Sequence, residues 1–125
     1  MIETRIFYTS MDEGGFLRTL VKPGSEIQVE DARENTEAVI RLSGGKNFPI
    51  LVDLRKIKSI SKEARDHFSM RNRKPHVTAI AMLVSSPVSK IIGNFFLGLN
   101  KPTVPTRMFT SESDAVEWIR KESAN

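Results

Sequence analysis

The sequence predicts one α/β domain over residues 1–125, with a mixed five-stranded sheet and four helices in the order ββαβαβαβα. The length suits a single hydrophobic core. Two nearly uninterrupted apolar runs, at 49–53 and 77–84, have the length of strands that are covered on both faces. Segments with helical spacing alternate with these runs, which favours parallel central strands joined by right-handed crossovers.

The N-terminal third predicts a hairpin and then a helix. Short β-like runs at 5–10 and 16–21 flank Gly14 and Gly15, which permit the positive φ angles of a tight turn. A helix is expected over 30–43, because acidic residues crowd its first turn and a glycine pair follows its end.

The C-terminal half predicts three more helices. The second helix begins at Ser61, whose hydroxyl can cap it, and ends before the Lys74-Pro75 pair. The third begins at the Ser-Ser-Pro sequence of 85–87, a serine cap followed by a proline in the first turn. A short strand at 106–110 comes next, and the last helix begins at Ser111.

The third helix carries a regular apolar pattern. Its apolar residues stand at offsets 0, 3, 4, 7, 8 and 11, which form one broad face of a 3.6-residue period. They are Val88, Ile91, Ile92, Phe95, Phe96 and Leu99. Glycine is unfavourable inside a helix, so we expect Gly93 to allow close packing and Gly98 to serve the helix end.

Composition excludes several classes of protein. Cysteine is absent, which excludes disulfides, thiolate catalysis and cysteine-based zinc sites. No run approaches the roughly 18 apolar residues of a membrane span. The N-terminal sequence lacks the basic and apolar regions of a signal peptide, so a cytoplasmic location is expected.

The net charge of +4 is unevenly distributed. Residues 1–37 hold eight acids and four bases, whereas residues 55–74 hold eight bases and two acids. The basic segment is either a solvated surface or a site for an anionic partner. Phe68 is its sole aromatic residue, so no stacking platform favours nucleic acid as that partner.

Three segments resemble a known superfamily. They are ILVDLRKIKSIS (50–61), AIAMLVSSPVSKIIGNFFLGLNKPTVPTRMF (79–109) and SDAVEWI (113–119). They resemble the SpoIIAA-like (STAS-like) superfamily, which includes STAS domains of anti-sigma factor antagonists and sulphate transporters, and within it a group of uncharacterised bacterial proteins. The resemblance covers roughly residues 5–121. It implies the SpoIIAA-like fold and a non-catalytic regulatory or protein-interaction module.

The phosphorylation switch of signalling STAS domains is not reproduced here. There, a strand ending in Asp-Leu is followed by Asp-Ser-Ser-Gly at a helix start, and one serine is phosphorylated. Laid from Asp53 onward, that pattern puts Ser61 in place of the acid and Lys62 in place of the phosphoacceptor. Ser59, Ser61 and Lys62 are therefore the candidate equivalents of the switch loop, although a serine that only caps a helix explains Ser61 equally well.

No local motif carries catalytic or metal chemistry. The histidines, His67 and His76, have neither a Gly-x-Ser-x-Gly elbow nor a metal-ligand spacing beside them. We therefore expect no catalytic residue, cofactor or metal. An enzyme would instead need a pocket near Asp53, Ser85 and Ser86, at the carboxyl ends of parallel strands.

The third helix holds the candidate contact residues, which are Ile92, Phe95, Phe96 and Leu99. Consecutive side chains point about 100° apart, so both phenylalanines are buried only beneath a wide apolar face. Either the helix simply covers the sheet, or part of its face binds a second copy of the chain, another protein or an apolar ligand. The protein-interaction module is expected to form a homo-oligomer, in the simplest case a homodimer. The alternative function is an apolar-ligand or lipid-binding domain, which would need a cavity beneath this helix.

Overall fold

The computed structural model describes residues 1–69, 77–98 and 104–123, together with the backbone of residues 99–100. The strands are β1 (Ile2–Glu3), β2 (Phe7–Asp12), β3 (Phe16–Val21), β4 (Glu26–Ile27), β5 (Phe48–Asp53), β6 (Ser59–Ile60), β7 (Val77–Leu83) and β8 (Thr106–Phe109). The helices are α1 (Val29–Ser43), α2 (Lys62–Phe68), α3 (Pro87–Asn100) and α4 (Glu112–Ser123).

The main sheet of the described chain has the strand order β1-β2-β3-β5-β7-β8. Strands β1, β2 and β3 pair antiparallel, and β3, β5, β7 and β8 run parallel. The predicted mixed sheet with four helices and parallel central strands is therefore confirmed.

The predicted strand number of five is corrected to six. The added strand, β1, pairs with the edge of β2, and Ile2 lies opposite Thr9. A separate two-stranded parallel sheet forms between β4 and β6. The sequence did not predict these elements because strands of two residues are too short for alternation to be detected.

The hairpin between β2 and β3 forms where the glycine pair predicts it. Gly15 has a φ of 85°, in the left-handed region. Its N–H donates to the Asp12 carbonyl at 3.1 Å, and the Gly14 N–H donates to the Asp12 carboxylate at 2.8 Å. The turn sets the register in which Phe7 lies opposite Val21.

Two layers of helices cover the sheet. Leu17, Ile50 and Ile80 are neighbours across β3, β5 and β7, and they pack beneath α1, α2 and α3. The opposite face packs against α4 alone among the described helices, through Ala115 and Ile119. The sheet residues of this second cluster are Phe16, Leu51, Ala79 and Ala81.

Two predicted helix ends are corrected. Helix α2 ends at Phe68, because Ser69 is extended with a ψ of 137°. Pro75 is the first proline after the helix start at Ser61, so the sequence contains no earlier signal for the end of the helix. Gly98 lies inside α3 rather than at its end. Apart from its chain neighbours and the helix backbone, no group of the described residues lies within 4 Å of an added Cβ. Gly93 does mark close packing, since its Cβ would lie 2.8 Å from the Met108 sulfur.

A buried carboxylate fixes the start of α1. Asp31 is 3% exposed, accepts the Gln28 N–H at 2.9 Å and accepts the Arg5 Nε–H at 2.9 Å. Burial raises the pKa of Asp31, but the hydrogen bonds from Arg5 and from the Gln28 N–H outweigh it. The pKa of this carboxyl therefore lies below its usual value in the folded protein.

Replacing Asp31 with asparagine is expected to lower the free energy of unfolding at pH 7 by about 1 kcal/mol. Because the folded-state pKa is lowered, the ionised carboxylate stabilises the protein above its unfolded-state pKa of about 3.9. That contribution is lost as the pH falls through the folded-state pKa. Urea unfolding of both proteins from pH 7 to pH 2 measures this. The difference should vanish in acid, and Glu37→Gln, at an exposed site of α1, is the control for the loss of one carboxylate from this helix.

Candidate functional site

Helix α3 is held at its start by a serine cap. The Ser86 hydroxyl accepts the Ser89 N–H at 3.0 Å, and Pro87 is the first helical residue, as the sequence predicts. The Ser89 hydroxyl in turn donates to the Ser86 carbonyl at 2.8 Å and accepts the Ser85 N–H at 2.9 Å. These bonds fix the direction in which α3 leaves β7.

The apolar residues of α3 divide between two sides of the helix. Ile92 and Phe96 are buried against the sheet. Val88, Ile91 and Phe95 are 42%, 71% and 38% exposed. These three residues, at spacings of three and four, lie on one side of the helix and are called the α3 stripe below.

Aromatic side chains connect α3 to α2. The ring of Phe96 meets Phe68 edge-on at a centroid distance of 6.3 Å, and meets Phe95 at 5.4 Å. The guanidinium of Arg65 lies 5.0 Å from the centre of the Phe95 ring. Its Nε atom is buried and has no hydrogen-bond partner among the described residues. A cation from the basic segment thus borders the α3 stripe.

An apolar cavity of about 130 Å³ lies between the sheet and helices α1, α2 and α3. Its apolar lining residues are Phe7, Val21, Ile27, Val39, Ile50, Val52, Leu54, Ile60, Phe68, Val77, Ile80, Met82, Ile92 and Phe96. Thr19, Asn35 and Thr36 are the polar ones in the described part of the lining. Protein cores contain few voids larger than a water molecule, so apolar space of this volume between the sheet and its helices is unusual.

A buried polar network adjoins the cavity. The Thr9 hydroxyl donates to the Asn35 Oδ1 atom at 2.8 Å and lies 3.1 Å from the Thr19 hydroxyl. The Thr36 hydroxyl lies 2.9 Å from the Nε2 atom of His67. The sequence pattern did not predict this network. Which threonines face the core becomes clear only when the register of the sheet is known.

The structure therefore brings some of the predicted contact residues together and separates others. Ile92 and Phe96 line the cavity, whereas Phe95 belongs to the exposed α3 stripe. Leu99 lies outside the residues whose side chains are described. Ile91 belongs to the stripe but was not among the predicted contacts.

The candidate switch residues lie together at the junction of β6 and α2. The Ser61 hydroxyl accepts the Ala64 N–H at 3.1 Å, which is the predicted helix cap. Ser59 lies in β6 opposite Glu26, and Lys62 is the exposed first residue of α2. Ser61, which the STAS resemblance aligns with the acid, is therefore the N-cap of α2.

The polar residues at the strand ends bond within the protein. The Asp53 carboxylate accepts the Arg55 Nη2–H at 2.7 Å, and that nitrogen also lies 3.1 Å from the Glu112 carboxylate. The hydrogen bond from Arg55 to Asp53 raises the pKa of the Arg55 guanidinium. The Ser85 hydroxyl donates to the Arg55 carbonyl at 3.3 Å. These contacts connect the polar side chains at the carboxyl ends of the strands to one another.

Within residues 1–69, 77–98 and 104–123, no cluster of three side chains is arranged to hold a metal ion. His76 and the C-terminal bases of the basic segment, Arg71, Arg73 and Lys74, lie outside the described residues. None of the described helices has the length and apolar character that crossing a membrane requires.

The sheet order and the helix placement define a SpoIIAA-like domain. An uncharacterised DUF3478-family protein from Shewanella loihica PV-4 with a SpoIIAA-like fold superimposes with a TM-score of 0.65 and 14% identity, covering 95% of this chain and 98% of that chain. An anti-sigma factor antagonist from Mycobacterium paratuberculosis gives a TM-score of 0.63 and 14% identity over 91% and 92% of the two chains. The fold implied by the sequence resemblance is thus confirmed.

The family is shown by the sequence itself. The domain of unknown function DUF7793 matches residues 9–123, and the chain belongs to this family. A protein of unknown function from Arthrobacter sp. FB24 is 36% identical over 90% of this chain and 97% of that chain, with a TM-score of 0.37. A comparison with curated proteins gave no match.

Proposed function

We propose that this protein is a non-catalytic regulatory module that binds a segment of another protein through the α3 stripe. The observation that carries the proposal is the exposure of Val88, Ile91 and Phe95 on one side of a helix whose other side is buried. Single exposed apolar residues are ordinary, but three on neighbouring helical turns form a continuous apolar surface. Spacings of three and four are those with which helices and grooves recognise each other.

The charges around the stripe favour an acidic partner segment. Arg65 lies against Phe95, and Lys62 stands one turn earlier on α2. Lys90, next to Ile91, is also exposed. Two copies joined through this surface would bring like charges together, so complementarity favours a different protein over a second copy.

The SpoIIAA-like fold supports the regulatory part of the proposal. One protein with this fold is an anti-sigma factor antagonist, which acts on a protein partner. In this chain Lys62 stands where signalling STAS domains carry the phosphoacceptor, so binding here would not be switched at that position. A permanent cation beside the stripe suits constant attraction of an acidic segment.

The proposal is tested with Ile91→Asp, which places a like-signed charge where the acidic partner would dock. The tagged chain is expressed and cross-linked in its own host, captured proteins are quantified by mass spectrometry, and the identified partner is then purified. We expect Ile91→Asp to weaken the affinity for that partner at least tenfold, since an unpaired charge is buried in the contact.

Ile40→Asp is the matched control. Ile40 is 39% exposed on α1 and Ile91 is 71% exposed on α3, so the control makes the same substitution at an exposed isoleucine of another helix. It should change the affinity less than twofold. Equal binding by Ile91→Asp and wild type would overturn the proposal, and so would capture of a second copy alone, which would replace it by the homo-oligomer.

A further inference from the structure

We infer that the cavity between the sheet and helices α1, α2 and α3 is a binding site for a small, uncharged, single-ring aromatic molecule. This site is separate from the α3 stripe and does not depend on the proposed function. The cavity of about 130 Å³ is close in volume to engineered apolar cavities of about 150 Å³ that bind benzene. The lining residues therefore surround enough space for one ring.

The side chains that line the cavity determine the chemical class of the ligand. The rings of Phe7, Phe68 and Phe96 and the aliphatic side chains of Ile50 and Ile80 contribute to the lining. Aromatic rings that pack edge-on against one another accept a further ring in the same way. No charged side chain is present in the described part of the lining, so a charged ligand would lose its hydration without compensation.

One side of the cavity offers limited polarity. Asn35 and Thr36, on α1, line the cavity beside Thr19 of β3. The Asn35 Oδ1 atom already accepts a hydrogen bond from Thr9, and the Thr36 hydroxyl is hydrogen-bonded to the Nε2 atom of His67. Three polar residues among many apolar ones are typical of small-molecule sites, where they orient a ligand with one polar group. Phenol would therefore fit this lining, as well as benzene.

The test uses the whole chain with methyl-labelled isoleucine and valine, and benzene as the probe. We expect saturable NMR shifts of the methyl groups of Ile50, Ile80, Ile92 and Val39, with the methyl groups of Ile119, a residue of α4 on the opposite side of the sheet, unaffected. Benzoate, which has the same ring with a charge, should give no saturable shift. A wild-type protein that shows no saturable shift up to the solubility of benzene would overturn the inference.

Filling the cavity provides the second arm. Val39→Phe should weaken benzene binding at least tenfold, and the smaller Val39→Leu about threefold, because each occupies part of the space. Val116→Leu changes a valine on the opposite face of the sheet and should leave the affinity unchanged. If Val39→Phe fails to fold, the comparison of Val39→Leu with Val116→Leu is the test. Equal benzene affinity in Val39→Leu, Val116→Leu and wild type would overturn the inference.

Discussion

Replacing Gly93 with leucine is expected to lower the free energy of unfolding by about 3 kcal/mol, the largest effect of a single substitution in this account. Even a Cβ atom at this position would lie 2.8 Å from the sulfur of Met108 and 3.1 Å from Cγ1 of Val84. Met108 is in β8 and Val84 follows β7, so a leucine would push α3 away from the sheet. Gly93→Ala should be nearly neutral, because the flexible Met108 side chain can move and alanine favours the helix.

Gly98 offers the matched comparison on the same helix. In the described part of the chain, only its chain neighbours and the helix backbone come within 4 Å of an added Cβ there, so Gly98→Ala should stabilise the protein by about 0.5 to 1 kcal/mol. Urea and thermal unfolding of the wild type, Gly93→Leu, Gly93→Ala, Gly98→Ala and Gly98→Leu measure these changes. Gly93→Leu should lose about 10 °C in its midpoint. A Gly93→Leu protein as stable as Gly98→Leu would contradict the close approach of α3 to β8.

Replacing Thr9 with valine is expected to destabilise the protein by about 2 kcal/mol, although the two side chains have nearly the same shape. The substitution removes the donor to Asn35 and the partner of Thr19, and all three residues are buried. Polar groups left without partners in the core lose the hydration that they have in the unfolded chain.

A double-mutant cycle separates this effect from general loss of packing. Asn35→Leu removes the acceptor, so the double variant Thr9→Val with Asn35→Leu leaves fewer unpaired polar groups than Thr9→Val alone. The double variant should be at least 1 kcal/mol more stable than the sum of the two single changes predicts. Simple additivity in urea unfolding would show that the hydrogen bond between these side chains contributes little.

The sequence carried the signals for those parts of the fold that depend on local chemistry. The glycine pair at 14–15 set the hairpin, the serine and proline at 86–87 set the start of α3, and the apolar run at 77–84 predicted a central strand. Each signal is a property of neighbouring residues. The two-residue strands β1, β4 and β6 have no such pattern, since their pairing depends on distant parts of the chain.

The candidate site depends on how α3 is rotated on the sheet. Ile91 and Ile92 are identical in chemistry, as are Phe95 and Phe96, yet one member of each pair is exposed and the other is buried. A broad apolar face does not specify which side turns outward, because both orientations satisfy the helical period. The cavity is equally hidden from the sequence, since it results from the fit of three helices to one sheet.

The binding of a different protein by this module is tested most directly by native mass spectrometry of the chain purified from its own host. We expect a complex in which one 14.1 kDa chain is joined to another polypeptide, and we expect Ile91→Asp to reduce the amount of this complex strongly. A wild-type preparation that shows only the 14.1 kDa chain, or only whole multiples of that mass, would contradict it.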